Sequence, residues 1–334
     1  MAYARNPVGT GPFRFVNWVT GASLTLQRFD DHWGGRTSRN IREITFRFIS
    51  DTSTRLIALE TGEIDINYAV QFSDMPGVEA NPNLQAILFD SLATDYIGFN
   101  VQRRPYDDVR VRQAINYAVD VDALIRAAYF GYGTVARGPV NPMVWASASD
   151  TLQPYDFNQT RARQLLAEAG YPNGFETSIL VNEGSVVRLD VAEIVQNMLG
   201  QVGIRVNIQI VEWAAFLDQA ARGDTEMFTL GWVTVTGDPD YGLSPLFHTD
   251  NFGAAGNRTF YSNLRLDRIL DDARQETNPD RRRQMYYEAQ QIIRDEAPWI
   301  FTATGITAMA SHPSVRGFAP VPGGHHELFS VYFE

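Results

Sequence analysis

Between residues 187 and 232 the spacing of apolar side chains switches repeatedly between two periods that no single element can satisfy. Val187 to Val202 places its apolar residues on one helical face and stops at Gly203. Ile204, Val206, Ile208 and Ile210 then alternate with Arg205, Asn207 and Gln209, the two-residue period of a half-buried strand. A helix over Ala214–Arg222 follows, and then an apolar strand from Met227 to Trp232. A helical stripe repeats every 3.6 residues and a strand face every two, so this order fixes alternating helices and strands.

The rest of the chain repeats the alternation. Pro7-Val8-Gly9-Thr10-Gly11-Pro12-Phe13 reads as a tight turn feeding a strand, and Phe13, Phe15 and Val16 with Leu24 and Leu26 predict a hairpin around Gly21. Ile44, Phe46 and Phe48 predict a strand, Asp51 or Ser53 caps a short helix over Thr54–Glu60, and Glu63–Ile66 returns as a strand. A second block begins near Gly98. Asp107-Asp108 opens one helix running to about Phe130, residues 131–153 form an ordered loop, and Asn158 caps a helix that stops at Gly170. Helices follow over Leu264–Glu276 and Pro279–Asp295, the second with Asn278 as its cap, and Trp299–Ala310 is strand-like. The predicted class is α/β, and 334 residues suggest about two domains.

Composition removes several function classes. Basic and acidic residues number 28 and 39, a formal net charge of −11, and no basic stripe stands ready to neutralise phosphates, so a nucleic-acid partner is not expected. No apolar run approaches the roughly 20 residues of a membrane span. The chain has no Cys and no Lys, which removes thiolate, Schiff-base and P-loop lysine chemistry. HExxH, GxSxG, Walker A and strand-borne GxGxxG motifs are absent. No catalytic residue, metal site or cofactor is therefore assigned. Asp238 and Asp240 are the best carboxylate pair, but a glycosidase needs its two carboxyl groups about 5–10 Å apart across a sugar. Two residues apart in a Gly/Pro turn, they read as turn formers and helix caps, with a ligand role open to them. Trp213, Trp232, Phe260 and Tyr261 sit at strand ends or in the loops after them, where α/β proteins build clefts.

Seven blocks, in order and spacing, carry a resemblance. They are Asn6–Phe13; Phe99-Asn100 followed by Arg103–Ala114; Tyr117–Asp120; Leu165–Gly170; Gly231-Trp232 with Gly237–Asp240; Asn257–Asn263; and Glu296-Ala297-Pro298. The chain resembles the extracytoplasmic solute-binding proteins that feed peptide-type ABC importers, the dipeptide, oligopeptide, glutathione and nickel binders. The resemblance implies a two-lobed periplasmic-binding-protein type II fold. Residues 1–97 and 306–334 would form a discontinuous, incomplete first lobe, and 98–305 the second. The chain would hinge at Phe99, Asn100, Thr304 and Gly305, and hinge closure buries a ligand. Relatives carry a signal sequence, more of the first lobe and a small further domain before the Gly-Thr-Gly-Pro-Phe turn. A chain without them is expected to expose a sheet edge and apolar surface.

The implied function is capture of a peptide or peptide-like solute for a membrane permease, in the periplasm or anchored outside the membrane, with a monomer expected if the lobe is complete. The implied ligand residues are Arg188, Trp213, Trp232, Asp238, Asp240, Arg258, Phe260 and Tyr261, with Arg188 meeting a carboxylate and Asp238 or Asp240 an ammonium. Val235 stands where dipeptide and oligopeptide binders place the ammonium-pairing Asp. A nickel-chelate binder using His325 and His326 is the alternative within the family, and a glycoside hydrolase using Asp238 and Asp240 the alternative outside it.

Overall fold

The structure is a computed structural model that describes residues 6–35 and 41–334. Its strands are β1 (Phe13–Val19), β2 (Ser23–Arg28), β3 (Glu43–Arg47), β4 (Ile66–Asn67), β5 (Gln85–Phe99), β6 (Thr134–Val135), β7 (Glu176–Asn182), β8 (Arg205–Val211), β9 (Met227–Val233), β10 (Trp299–Ser311), β11 (Val315–Arg316) and β12 (Tyr332–Phe333). Its helices are α1 (Thr52–Glu60), α2 (Met75–Ala80), α3 (Val109–Ala118), α4 (Val121–Ala128), α5 (Gln159–Glu168), α6 (Val186–Gly200), α7 (Trp213–Arg222), α8 (Pro239–Phe247), α9 (Leu264–Gln275) and α10 (Pro279–Glu296). The chain divides into two compact units, Met1–Phe89 with Thr307–Glu334, and Asp90–Ile306.

In the first unit, β1, β2 and β3 form an antiparallel sheet, with Leu24 opposite both Trp18 and Phe46. The hairpin turns at Gly21, whose φ of 74° suits a residue without a Cβ. Asp51 caps α1, its carboxylate accepting from the Thr54 backbone N–H and hydroxyl. The strand expected over 63–66 is only the two residues of β4, which pair with Ala310 and Ser311.

The second unit is built on the strand order β10-β5-β9-β7-β8. β7 runs parallel to both β8 and β9, while β5 runs antiparallel to β9, with Asp95 opposite Gly231 and Phe99 opposite Met227. One sheet face carries Tyr96, Phe228 and Leu230 into a core with Phe247, Leu266, Tyr286, Ile293 and Trp299. Tyr96 lies flat on Trp299, ring centres 3.5 Å apart. α6 covers the strands β7 and β8 with Val191, Ala192, Val195 and Leu199.

Two elements differ from the sequence reading for local reasons. The single helix expected from 107 to 130 is two, because Asp120 takes an extended backbone and its side chain accepts from Ala123 N–H, capping a new helix. The crossing expected at Phe99-Asn100 lies well inside the second unit. Phe99 is fully buried there, and the Asn100 amide donates to Gly223 O at 3.0 Å. Thr304 and Gly305 close that unit, with the Thr304 hydroxyl 2.7 Å from that of Thr134 and Gly305 against Ala93.

Candidate functional site

β7 and β9 are parallel, so their carboxyl ends, Asn182 and Val233, lie on the same side of the sheet. The loops after such ends are where open α/β sheets hold ligands. β8 delivers α7 to that side through Glu212, whose carboxylate caps Ala214 and Ala215. β5 runs the other way and brings Asp95 there, opposite Gly231.

Three of the residues singled out in the sequence lie at this end of the sheet. Arg188, in the first turn of α6, donates through Nη1 to Asn182 Oδ1 at 2.7 Å. Trp213 opens α7, stays 43 % exposed and stacks on the buried Phe216 with rings 7° from parallel. Trp232 lies near the end of β9 and donates from Nε1 to Tyr241 O at 2.9 Å. The arrangement offers a guanidinium, an amide and two aromatic faces.

Asp238 and Asp240 are already engaged. Asp238 accepts from Arg282 at both carboxylate oxygens, 2.6 and 2.9 Å, and caps α8 through Asp240 N–H. Asp240 accepts from Arg274 at 2.8 Å and from the Ser244 hydroxyl at 2.6 Å. These bonds tie the loop after β9 to α9 and α10, which is a different use from meeting an ammonium or protonating a glycoside.

Arg258, Phe260 and Tyr261 lie at the opposite end of the strands. Thr259 O accepts from Val101 N–H just past β5, and a Cβ on Gly223, shortly before β9, would come within 2.9 Å of the Phe260 ring. β9 has seven residues, so roughly 20 Å of strand separates that end from Trp232. Asn257 causes the placement. Its side chain bonds the Thr259 hydroxyl and the backbone of His248 and Tyr261, folding 257–261 into a tight turn. Tyr261 is thereby driven into the core at 2 % exposure, where burial raises its hydroxyl far above the usual phenol range. The sequence showed a loop after a strand, not which end of the sheet it serves.

The sequence reading missed Asp95 and Tyr129. Asp95 sits in mid-strand, half-buried, and accepts from the Tyr129 hydroxyl at 3.2 Å. Burial raises its carboxyl above the usual range, while nearby Arg188 and the Tyr129 hydrogen bond lower it. A Cβ on Gly231 would overlap Asp95 Oδ1, so the glycine is what gives this carboxylate its space. The available signal was an Asp inside an apolar run, but that run was not read as a strand.

His325 and His326 lie in the first unit. His326 Nδ1 accepts from Val321 N–H at 3.0 Å, its ring stacks on Tyr68, and burial holds its pKa below the usual value. His325 Nδ1 is 3.1 Å from Gly323 O. Among the described residues no group of three His, Asp or Glu could hold a metal ion.

This mixed α/β chain has the fold of the type II periplasmic binding proteins. Residues 1–254 match the family described as bacterial extracellular solute-binding proteins, family 5, middle part, and the chain belongs to that family. It is 35 % identical to the heme-binding protein A of Haemophilus influenzae, over 97 % of this chain and 59 % of that protein. It is also 35 % identical to the glutathione-binding protein GsiB of Pectobacterium atrosepticum, over 95 % and 62 %. Among solved structures it is similar to the ABC transporter-associated periplasmic binding protein DppA of Helicobacter pylori in complex with the peptide STSA. The TM-score is 0.90, at 30 % identity, over 98 % of this chain and 64 % of that one. The chain spans about three-fifths of the curated relatives it matches.

Proposed function

We propose that this chain captures a peptide or peptide-like solute outside the cytoplasm and delivers it to the membrane permease of an ABC importer. The observation that carries the reading is that Arg188, held by Asn182, and Trp213 and Trp232 all lie at the carboxyl ends of β7, β8 and β9. Arg188 supplies a charged donor for a ligand carboxylate, and the two indoles supply walls that tolerate varied side chains. Relatives described as peptide-, glutathione- and heme-binding support it, and the family supports a periplasmic or extracellular location.

A native mass spectrum of the purified chain tests the reading. A mass above the bare 37.5 kDa, with the excess released on denaturation, is expected. Its size separates a peptide from a metal chelate. Trp232→Ala is expected to weaken ligand binding about tenfold or more while leaving the far-UV spectrum unchanged. Unaltered affinity in that variant would remove Trp232 from the site.

A further inference from the structure

Trp232 is anchored at its indole N–H by a carbonyl of the helix that follows. Nε1 donates to Tyr241 O at 2.9 Å, and the two rings lie 5.3 Å apart at 38°. With that N–H engaged, Trp232 offers its surroundings only its ring. Tyr241 stands in the first turn of α8, where its own N–H donates to Asp238 O at 3.2 Å. Asp238 caps the turn, its Oδ1 accepting from Asp240 N–H at 3.0 Å. The Tyr241 carbonyl therefore goes where Asp238 goes.

Asp238 is in turn held from α10. Arg282 donates from Nη1 to Oδ2 at 2.6 Å and from Nη2 to Oδ1 at 2.9 Å, a fork that fixes both the place and the plane of the carboxylate. The guanidinium itself is locked. Its Nε donates to Ala273 O in the last turn of α9 at 3.0 Å, and Nη2 donates to the Tyr286 hydroxyl at 2.9 Å. It also lies over the rings of Trp145 and Tyr286, at 5.2 and 5.0 Å. Trp145 N–H donates to Gly237 O at 3.3 Å, so the residue before Asp238 is tied to the same place. Arg282 and Asp238 are both half-buried, which spares the pair part of the screening that weakens a surface ion pair. A cap alone does not need the fork, because an Asp without a charged partner already caps a helix well. What the fork adds is orientation.

We propose that Arg282 is a positioning residue for solute binding. By gripping Asp238 it fixes the first turn of α8, and through the Tyr241 carbonyl it fixes the direction of the Trp232 indole. The inference rests on the solute-binding reading above, which makes that indole a wall of the site, and adds to it a residue that acts from α10. A wall that is rigid before a solute arrives needs no ordering when the solute binds.

Labelling the chain with 5-fluorotryptophan gives a fluorine resonance for each of its six Trp residues, and Trp145→Phe and Trp232→Phe identify two of them. Arg282→Met is expected to move both, Trp145 because the guanidinium leaves its ring and Trp232 because its anchor turns. Trp213, stacked on Phe216, and Trp299, in the core, should keep their resonances. Asp238→Asn keeps a cap but not the charged fork, and should move Trp232 the same way. The double variant should move it no further than the larger single shift. Arg282→Lys keeps the charge without the fork and should recover less than half of the shift. Calorimetry with the tetrapeptide Ser-Thr-Ser-Ala, held by the Helicobacter pylori relative, should show Arg282→Met and Asp238→Asn each binding about three- to tenfold more weakly than the parent. A shift confined to Trp145 overturns the proposal, because the guanidinium then packs without steering Trp232. Shifts that spread to Trp213 and Trp299 overturn it too, because Arg282 then serves general stability. A moved Trp232 with unchanged peptide affinity removes the positioning role and leaves the solute-binding reading intact. A parent that does not bind Ser-Thr-Ser-Ala overturns the role in peptide binding whatever the resonances do. If its native mass spectrum also shows no retained solute, the solute-binding reading falls as well.

Discussion

Replacing Gly174 by alanine is expected to destabilise the second unit by about 3–5 kcal/mol. Gly174 closes the turn between α5 and β7 at φ 75°, and Gly203 closes the turn between α6 and β8 at φ 90°. The two turns abut, so a Cβ on Gly174 would fall inside the carbonyl group of Gly203. A Cβ on Gly203 would in turn come within 2.9 Å of Asn173 O. The left-handed conformation alone costs a non-glycine residue about 1–2 kcal/mol. The overlap is with backbone, which cannot rotate away as a side chain can. β7 and β8 begin just beyond, with Arg205 N–H donating to Phe175 O at 2.8 Å and Glu176 opposite Arg205. Relief of the clash must therefore pull apart the start of the parallel pair that carries Asn182. Gly170 is the control. Its φ is 93°, but nothing lies within 4 Å of its Cβ position, so Gly170→Ala should cost only about 1–2 kcal/mol. Urea unfolding of both variants separates the steric from the conformational cost. Equal losses would mean that the two turns move apart easily.

The fold was legible wherever one period ran long enough. Ile204 to Ile210 alternates because α6 packs on one face of β8 while Arg205, Asn207 and Gln209 on the other are exposed. Helix α10 was marked by Asn278, whose side chain caps it in the structure. β5 was illegible because its inner half is buried on both faces while Ser91, Thr94 and Asp95 interrupt the apolar run. The positions of Arg188, Trp213 and Trp232 at the carboxyl ends of the strands were legible because each sits at a junction that propensity marks. Asp95 was not, because its meaning depends on being opposite Gly231, a cross-strand fact that one strand's sequence does not hold. Phe260 and Tyr261 were misplaced for a related reason. The side-chain bonds of Asn257 set their direction, and periodicity carries no record of them.

Arg112→Ala should cost about 3–5 kcal/mol, although Arg112 touches neither strand end of the site. Arg112 projects from α3 and is 5 % exposed. Its Nη1 donates to Tyr106 O at 2.7 Å, and Nε and Nη2 donate to Glu296 O at 2.9 and 2.6 Å. Glu296 ends α10, and Ala297 caps that end at φ 48°. A guanidinium there satisfies a terminal helix carbonyl and meets the negative end of the helix dipole. Burial lowers the pKa of Arg112, with Glu296 opposing the shift, so its charge is kept by its partners rather than by water. Alanine would strand both carbonyls and leave a void. Lysine would keep the charge but not the fork, and should recover less than half of the loss. Arg110, two residues earlier, shows what location decides: it pairs with Asp108 and donates to Glu168 O at the surface, and Arg110→Ala should cost far less than Arg112→Ala. The connection to the site runs through β10. Two residues after Ala297 the chain enters that strand at Trp299, whose carbonyl accepts from Asn116 of the same helix α3. Trp299 stacks on Tyr96, the neighbour of Asp95. Unfolding of Arg112→Ala followed by tryptophan fluorescence should therefore report the loss from within this stack. A midpoint within about 1 kcal/mol of the parent would mean that water reaches the end of α10 and replaces the guanidinium.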